Sequence, residues 1–322
     1  MIVVRSPLRV SFTGGGTDFP EYFKKKKTKI LTTSINKYVY IILKKREDSL
    51  IYLNYSSKEI IKNSKYIKHE IFKAVLNYFN IKNGIEISVL SDIPSKGSGL
   101  GSSSSFTAAL IKACSIYKKV NLNKKKLAEL TCKVEIEILK KPIGIQDQYA
   151  ICMGGLNVLT LSQKRINTTP INNKKISNIL KNNSVLFNLN MPRTADSVLS
   201  KHSKLIHDNK INLDSINNNS NYIIKKIDAI SKEDFCNSIN KGWELKKRLV
   251  ENVTNILIEK EILKAKKMGC IGYKVCGAGN GGYLLLIFKN QKHRNSFFFK
   301  YEKKCLKVEV ESEGAKVIYL SR

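Results

Sequence analysis

Hydrophobic and polar positions along this 322-residue chain switch repeatedly between the two-residue period of a strand and the 3.6-residue period of a helix. Runs rich in β-branched and aromatic residues predict strands, and apolar residues repeated every three or four positions predict helices. Pro7 predicts an interruption of the first strand near a sheet edge. Strands are predicted over residues 2–12, 30–43, 50–55, 85–90, 156–161, 185–190, 272–276, 283–288, 307–311 and 315–319, and helices over 67–79, 102–117, 124–140, 196–208, 213–231, 232–240, 252–268 and 293–304.

A polar stretch rich in Asn and Lys, residues 162–184, separates two halves that both carry apolar patterning. The chain is 42% hydrophobic and long enough for one large or two ordinary domains. We therefore predict a domain junction here, with domains over residues 1–175 and 176–322. No apolar run approaches the roughly 20 residues that span a bilayer, and residues 1–12 do not resemble a signal peptide. We expect a cytoplasmic protein without a membrane partner.

The segment from residue 92 to residue 105 reads DIPSKGSGLGSSSS and lies between a predicted strand and a predicted helix. Its glycines at 97, 99 and 101 permit positive φ angles, and its serines suit a helix N-terminus. A row of backbone N–H groups at the positive end of a helix forms an anion site, for which phosphate is the usual ligand. The segment is not a P-loop, because Ser102 follows Gly101 where a Lys would be required. Its apolar flanks also argue against a flexible Gly/Ser linker.

Carboxylates follow at Glu135, Glu137 and Asp147. A carboxylate, a serine hydroxyl and phosphate oxygens together would satisfy a hard cation such as Mg²⁺. A second carboxylate could orient an attacking hydroxyl group or accept its proton. We interpret Glu137 as a solvated helix charge and Asp147, in a predicted Gly-Ile-Gln-Asp-Gln loop, as functional.

Two further stretches carry glycines. In residues 7–18, PLRVSFTGGGTD, Arg9 brings a fixed positive charge toward the glycines, and Asp18 could accept hydrogen bonds from the hydroxyls of a polyol. Residues 277–282 fit GxGxxG, but they join two predicted strands. A dinucleotide-binding motif would open a helix instead, so we interpret this segment as a turn between strands.

The formal net charge of +31 raises the hypothesis of nucleic-acid binding. The lysines, however, are spread along the whole chain, without interleaved aromatic residues or a recognisable nucleic-acid module. We therefore expect no specific nucleic-acid partner. A positive field would still attract anionic substrates such as ATP and sugar phosphates.

Residues 7–18, 94–105 and 274–286 together resemble, in order, the three motifs of the GHMP kinase superfamily. The resemblance implies a two-domain α+β fold with an N-terminal ribosomal-protein-like β/α domain and a C-terminal ferredoxin-like domain. It also implies an active site between the two domains, and ATP and Mg²⁺ as cofactors.

The same resemblance implies roles for individual residues. Asp147 would be the catalytic carboxylate, and Arg9 would lie near the transferred phosphoryl group. Ser103 and Glu135 would ligate Mg²⁺. The phosphates of ATP would be held by Gly97, Ser98, Gly99, Leu100, Gly101, Ser102 and Ser103, and the substrate by Gly15, Gly16, Thr17, Asp18, Arg193, Gly277 and Gly279.

Within the superfamily, the Gly-Gly-Gly-Thr-Asp sequence at residues 14–18 is similar to that of the heptose 7-phosphate kinases. The resemblance implies an ATP-dependent sugar kinase that phosphorylates the anomeric hydroxyl of D-glycero-D-manno-heptose 7-phosphate. Another sugar 1-kinase, of the fucokinase or galactokinase type, is the alternative, and a non-catalytic nucleic-acid-binding protein is a third interpretation. The expected partner is a small sugar or sugar phosphate, and a homodimer is compatible with the sequence.

Overall fold

The structure, a computed structural model, describes residues 1–94, 97–191, 210–249 and 253–321. Its strands form two sheets, one of eight strands and one of four. The predicted helix over residues 196–208 lies outside the described residues. In the part of the chain that is described, no helix is long and apolar enough to cross a membrane.

The eight-stranded sheet is built from the first 170 residues and the last strand of the chain. Its strands are β1 Ile2–Thr13, β2 Thr28–Lys45, β3 Ile51–Asn54, β4 Lys58–Ile61, β5 Ile85–Ser91, β6 Leu156–Leu161, β7 Ile166–Pro170 and β12 Lys316–Leu320. The main order is β12-β1-β2-β5-β3-β4, and β6 pairs with both β2 and β7. The β3–β5 pair is parallel, whereas β1 pairs antiparallel with β2 and β12.

The four-stranded sheet is antiparallel, in the order β11-β8-β10-β9. Its strands are β8 Ser184–Asn188, β9 Cys270–Val275, β10 Tyr283–Phe288 and β11 Cys305–Leu306. All six residues of β10 are buried, as expected for a central strand covered on both faces.

The helices cover the two sheets. They are α1 Pro20–Phe23, α2 Glu70–Tyr78, α3 Ser102–Tyr117, α4 Lys124–Cys132, α5 Gln146–Met153, α6 Lys174–Asn178, α7 Lys210–Lys225, α8 Lys232–Lys247, α9 Ile256–Lys267 and α10 Gln291–Lys300. Short 3₁₀ turns occupy Ser64–Tyr66 and Glu302–Lys304, and π-helical turns occupy Lys133–Ile138 and Ile179–Asn183. Asn123 caps α4, accepting a hydrogen bond from Lys126 N at 2.9 Å, as the sequence predicts.

Strand β1 runs past two hydrophobic cores. Its first residues, Ile2 and Val4, pack with α2 to α5, whereas Leu8, Val10 and Phe12 pack between the two sheets. The prediction of an interruption near Pro7 is therefore wrong. β1 is one continuous strand between β12 and β2. The proline coincides with a shift in the pairing with β2, and such irregularities tolerate its missing N–H.

Several other local predictions also change. Strands β4, β7 and β11 and helix α6 were not predicted, because each covers only two to five residues. Residues 146–148, predicted as loop, form the first turn of α5. In the predicted strand over residues 307–311, Val310 makes a single bridge to Ile35. The last strand returns to the first sheet, and the boundary near residue 175 stays a prediction.

Candidate active site

The Gly/Ser segment forms a tight loop at the N-terminus of α3. Gly97, Gly99 and Gly101 have φ angles of 72°, 75° and 78°, a left-handed conformation that glycine adopts without steric cost. The hydroxyl oxygens of Ser98 and Ser102 are 2.7 Å apart and share a hydrogen bond that fixes the loop. The first amides of a helix have no partner within it, so this loop presents them, with the helix dipole, to an anion.

Arg9 ties this loop to Asp147. Its Nε and Nη2 donate to the two carboxylate oxygens of Asp147, each at 2.6 Å, and its Nη1 donates to Gly99 O at 2.6 Å. The backbone of Arg9 also donates to Leu100 O at 2.9 Å. The guanidinium is almost fully buried, so this two-point ion pair is rigid and directional. The structure thus brings Arg9, Asp147 and the loop together.

Asp147 lies in the first turn of α5, close under Gly101. A Cβ atom built on Gly101 would lie 3.1 Å from Arg9 Cγ and 3.5 Å from Asp147 Oδ2. The N-terminus of α3 and the Arg9–Asp147 pair are therefore in direct contact.

Glu135 is fully buried in the π-helical turn after α4. Its Oε1 accepts hydrogen bonds from Ser103 Oγ at 3.0 Å and Thr107 Oγ1 at 3.1 Å, and its Oε2 accepts from Ser104 Oγ and Gln148 Nε2, both at 2.7 Å. Four donors replace the water that a buried carboxylate loses. The sequence interpretation did not identify Ser104, Thr107 or Gln148.

The hydroxyl of Ser103 and the carboxylate of Glu135 are oxygen ligands of the kind that Mg²⁺ prefers. Ser103 is exposed, and its hydroxyl is already at hydrogen-bond distance from the carboxylate. Among the described residues, no group of three or more His, Cys, Asp or Glu side chains could hold a metal ion. One hydroxyl and one carboxylate would suit Mg²⁺, which usually keeps several waters and binds substrate phosphates as well.

Lys141 places a positive charge beside the loop. Its Nζ lies 3.4 Å from Ser103 Oγ and 3.1 Å from Glu70 Oε1. The loop lacks the lysine of a P-loop motif, and this lysine from a distant segment lies near Ser103. The sequence interpretation missed it because nothing local distinguishes it from Lys140.

Asp18 is buried against the turn that leads into α5. Its Oδ1 accepts from Gly16 N at 3.0 Å, and its Oδ2 accepts from Gln146 N at 3.3 Å. Burial raises the pKa of this carboxyl group, and the nearby charge of Asp147 raises it further. The two carboxylates predicted from separate motifs thus lie in one site.

The glycine turn before Asp18 is held by Thr17. The Thr17 hydroxyl is fully buried, donates to Gly14 O at 2.8 Å and lies 2.5 Å from Thr28 Oγ1. The geometry therefore gives Thr17 a role in shaping the turn. Gly15 and Gly16 remain partly exposed beside Asp18.

The glycine segment at residues 277–282 contacts the loop at the N-terminus of α3. A Cβ atom on Gly282 would lie 2.4 Å from Gly97 O, and Tyr283 N donates to Ser98 O at 3.0 Å. Only a glycine at 282 permits this backbone contact. The segment does join two strands, β9 and β10, as the sequence predicts.

Two other glycines of this segment, Gly277 and Gly279, contact Lys246 and Val253. Gly277 O accepts a hydrogen bond from Lys246 Nζ, and a Cβ atom on Gly279 would lie 2.5 Å from Val253 Cγ1. Substrate contacts of Gly277 and Gly279 stay a prediction. Arg193 lies outside the described residues, and its role also stays a prediction.

Lys274 connects β9 to β1. Its Nζ donates to Ser11 O at 2.8 Å and Phe12 O at 3.1 Å. Burial lowers the pKa of this ammonium group to about 8, and the positive charge of Arg9 acts in the same direction. The sequence interpretation placed Lys274 in the third motif without giving it a role.

A glycine-rich loop at a helix N-terminus, beside a carboxylate paired with arginine, is an arrangement expected of a small-molecule kinase. Residues 56–155 match the family profile described as GHMP kinases N terminal domain. The chain is 31% identical over 314 residues to a D-glycero-alpha-D-manno-heptose 7-phosphate kinase of Campylobacter jejuni, covering 91% of each chain. It is 28% identical to a mevalonate kinase of Archaeoglobus fulgidus, over 76% of this chain and 81% of that one.

Solved structures show the same fold. A D-glycero-D-manno-heptose 1-phosphate kinase from Bacteroides thetaiotaomicron superposes over 100% of both chains, with a TM-score of 0.80 at 19% identity. The Lactococcus lactis galactokinase in complex with galactose superposes over 98% of this chain and 94% of its own, with a TM-score of 0.77 at 18% identity. These similarities confirm the α+β fold predicted from the sequence.

The chain belongs to the GHMP kinase family. It is an ATP-dependent phosphotransferase with an alcohol group as acceptor, of the sugar kinase type. The interpretation as a non-catalytic nucleic-acid-binding protein is therefore wrong.

Proposed function

We propose that the protein transfers the γ-phosphoryl group of ATP to the anomeric hydroxyl of a sugar phosphate in the cytoplasm, with D-glycero-D-manno-heptose 7-phosphate as the first candidate. The observation that carries the proposal is the Arg9–Asp147 ion pair held directly under the loop at the N-terminus of α3. The 31% identity to a relative named as a heptose 7-phosphate kinase, over 91% of both chains, supports the choice of acceptor.

The loop from Gly97 to Ser103 would hold the phosphates of ATP. Its backbone N–H groups point from the positive end of α3, and negative charge that develops on the transferred group is stabilised there. Lys141, beside Ser103, adds a positive charge at the same place. Because Arg9 and the Gly97–Ser98 contact with Gly282 fix the loop, little reorganisation is needed during transfer.

Asp147 would hold the attacking hydroxyl in line with the γ-phosphorus, either by accepting its hydrogen bond or by taking its proton. Arg9 fixes both oxygens of Asp147 and carries a positive charge toward the transferred group. Phosphoryl transfer depends mainly on such positioning and electrostatic stabilisation, so a rigid pair is well suited to the reaction.

Ser103 and Glu135 would hold Mg²⁺ through a hydroxyl and a carboxylate oxygen. The ion, when bound, would neutralise charge on the phosphates. Each Glu135 oxygen already accepts two hydrogen bonds, so the exposed Ser103 hydroxyl is the donor that can rotate away from the carboxylate.

The acceptor sugar would lie against Asp18 and the glycine turn. Asp18 is held by two backbone amides, and its carboxylate suits sugar hydroxyl donors. Gly15 and Gly16 carry no side chains, which leaves room for a large sugar. Arg193 would bind the phosphate that the sugar already carries, because a planar guanidinium matches phosphate geometry.

Another sugar 1-kinase is the second candidate, since Asp18 and the glycine turn would bind sugar hydroxyls whether or not the sugar carries a phosphate. The chain is 26% identical over 216 residues to an L-fucokinase/L-fucose-1-P guanylyltransferase of Bacteroides fragilis, covering 22% of that protein. It is 26% identical to a Pyrococcus furiosus galactokinase over 48% of this chain.

An assay of ADP release over free and phosphorylated sugars distinguishes the candidates. The panel contains heptose 7-phosphate, the free heptose, fucose and galactose, and ³¹P NMR identifies the hydroxyl that is phosphorylated. We expect the highest kcat/KM on heptose 7-phosphate, with a product that carries phosphate at both O1 and O7. The variant Arg193→Ala should raise the KM for this acceptor and leave the KM for ATP unchanged. A preference for a free sugar would favour the second candidate, and turnover on no sugar would contradict both.

A further inference from the structure

Two polar side chains near Arg9 and Asp147 have oxygen atoms that are buried without a hydrogen-bond partner. These atoms are Ser11 Oγ and Gln146 Oε1, and neither forms a hydrogen bond with any described residue. Leaving a buried polar atom unpaired costs about 1–3 kcal/mol, so native proteins rarely keep one without a reason. A bound ligand with a hydroxyl group would remove this cost.

Both side chains border the same space, which is next to Gly15. A Cβ atom built on Gly15 would lie 3.6 Å from Ser11 Oγ and 3.5 Å and 4.0 Å from Gln146 Nε2 and Oε1. No backbone atom lies among these neighbours. The space beside Gly15 is therefore bordered by one hydroxyl and one carboxamide.

This space adjoins the reacting groups. Ser11 lies two residues after Arg9 on β1, and side chains two apart on a strand point to the same face. Gln146 immediately precedes Asp147 at the start of α5, and its backbone N–H donates to Asp18 Oδ2 at 3.3 Å. A sugar whose attacking hydroxyl lies at Asp147 would place a second hydroxyl near Gln146.

The backbone around Ser11 is fixed from the other side. Lys274 Nζ donates to the carbonyl oxygens of Ser11 and Phe12, which ties this part of β1 to β9. A side chain on a backbone held in this way keeps its position, and discrimination between ligands depends on such rigidity.

We propose that Ser11 and Gln146 bind a hydroxyl group of the acceptor other than the one that is phosphorylated, and that Gly15 keeps the space for it open. Ser11 Oγ–H donates to this hydroxyl oxygen, and the hydroxyl donates its own hydrogen to Gln146 Oε1. The inference rests on the proposed sugar kinase function. It adds a specificity site that selects among sugars by one hydroxyl.

An acceptor lacking this hydroxyl would leave both protein groups unpaired. A site built to hydrogen-bond a hydroxyl discriminates strongly against the analogue that lacks it. For one neutral hydroxyl we expect kcat/KM to fall about 10- to 100-fold with the matching monodeoxy sugar. Analogues that lack other hydroxyls should lose less.

The test combines variants with a series of monodeoxy acceptors. Ser11→Ala and Gln146→Met remove the polar atoms, and Gly15→Ala fills the space with one methyl group. Gly15→Ala introduces only ordinary van der Waals contacts, so the variant should fold normally. The control is Gly242→Ala, since the nearest atom there is Asn219 Nδ2, also at 3.5 Å, and helix α8 carries no proposed site residue.

In the wild-type enzyme, one deoxy position should lower kcat/KM about 10- to 100-fold. In Ser11→Ala and Gln146→Met, the parent sugar should lose activity by a similar factor, and the deoxy sugar should then be used almost as well as the parent. Gly15→Ala should lower kcat/KM for the acceptor with an unchanged KM for ATP, and Gly242→Ala should match the wild type.

The outcomes separate this inference from the proposed function. If the enzyme phosphorylates heptose 7-phosphate and the variants discriminate among deoxy sugars as the wild type does, the inference is overturned and the proposed function stands. If a different sugar is the acceptor, the proposed acceptor is wrong, and the same deoxy series made from that sugar tests the role of Ser11 and Gln146. Turnover on no sugar overturns both.

Discussion

Gly144 approaches Asp18 so closely that a side chain cannot be accommodated between them. A Cβ atom on Gly144 would lie 1.9 Å from Asp18 Oδ2 and 2.3 Å from its Cγ. The same carboxylate oxygen accepts a hydrogen bond from Gln146 N, and Ile145 N donates to Asp18 O at 3.2 Å. The turn that carries Asp147 into the site is therefore built around Asp18.

Gly144→Ala should displace Asp18 and disturb acceptor binding more than ATP binding. We expect kcat/KM for the acceptor to fall about 10-fold or more, which corresponds to about 1.4 kcal/mol, with a KM for ATP within about threefold of wild type. Steady-state kinetics with each substrate varied in turn measures this. Gly242→Ala is the matched control, and equal acceptor kinetics in both variants would contradict the proposed role of Asp18.

Ser103 and Ser104 both donate to Glu135 but should behave differently when replaced by alanine. Ser103 is exposed, so Ser103→Ala should leave the melting temperature nearly unchanged while it raises the Mg²⁺ concentration needed for half-maximal rate about 10-fold. Ser104 is buried, so Ser104→Ala should cost about 1–3 kcal/mol of stability without that shift. Magnesium titrations and denaturant unfolding of both variants test the assignment, which a larger magnesium shift in Ser104→Ala would contradict.

Lys141 should contribute to ATP binding. Lys141→Met removes the positive charge beside Ser103, and we expect the KM for ATP to rise about 5- to 10-fold because a charge-assisted contact to phosphate is lost. Lys140→Met is the control, since Lys140 is the neighbouring lysine and is exposed. The same KM for ATP in both variants would remove Lys141 from the phosphate site.

Lys274 should make stability depend on pH in the alkaline range. Its pKa is lowered to about 8 in the folded protein, whereas an unfolded lysine keeps its proton to a pKa of about 10.4. Between these values the unfolded state binds more protons, so stability should rise with pH. Relative to Lys274→Met, the wild type should gain about 2 kcal/mol in free energy of unfolding from pH 7.5 to pH 10.

Urea unfolding at several pH values measures this difference, because the titration of all other groups is common to both proteins. Lys140→Met, which removes an exposed lysine, should show a constant difference from the wild type. A constant difference for Lys274→Met as well would mean that the ammonium group is not perturbed by burial.

The main elements were predictable because their patterns are long and regular. Strands β2 and β10 and helix α3 all lie within a few residues of the predicted bounds. Strand β2 has a long segment rich in β-branched and aromatic residues, and β10 and α3 each follow a glycine signal with an apolar run. Strand β4 and the first turn of α5 were not predictable. Each covers only a few residues. The conformation of β4 depends on pairing with the neighbouring strand β3, and that of the turn depends on contacts with Asp18, which is distant in sequence.

The site was predictable where a motif is compact, as in the loop before α3. The residues that complete the site come from separate segments. Because these segments are far apart in the sequence, their contacts cannot be predicted from it. Gln148 and Thr107 complete the environment of Glu135, and Lys141 stands beside Ser103, yet none has an unusual local sequence. Their roles follow only from how α3, α4 and α5 pack together.

The central claim is that Asp147 acts on the attacking hydroxyl, and Asp147→Asn tests it most directly. The substitution keeps the size of the side chain and removes its charge, so ATP binding should change little while kcat falls about 10²- to 10⁴-fold. The measurement is kcat for the preferred sugar acceptor at saturating ATP, together with titration of a non-hydrolysable ATP analogue and a melting curve to establish folding. A kcat within about threefold of wild type, in a folded protein that binds the analogue normally, would contradict the account.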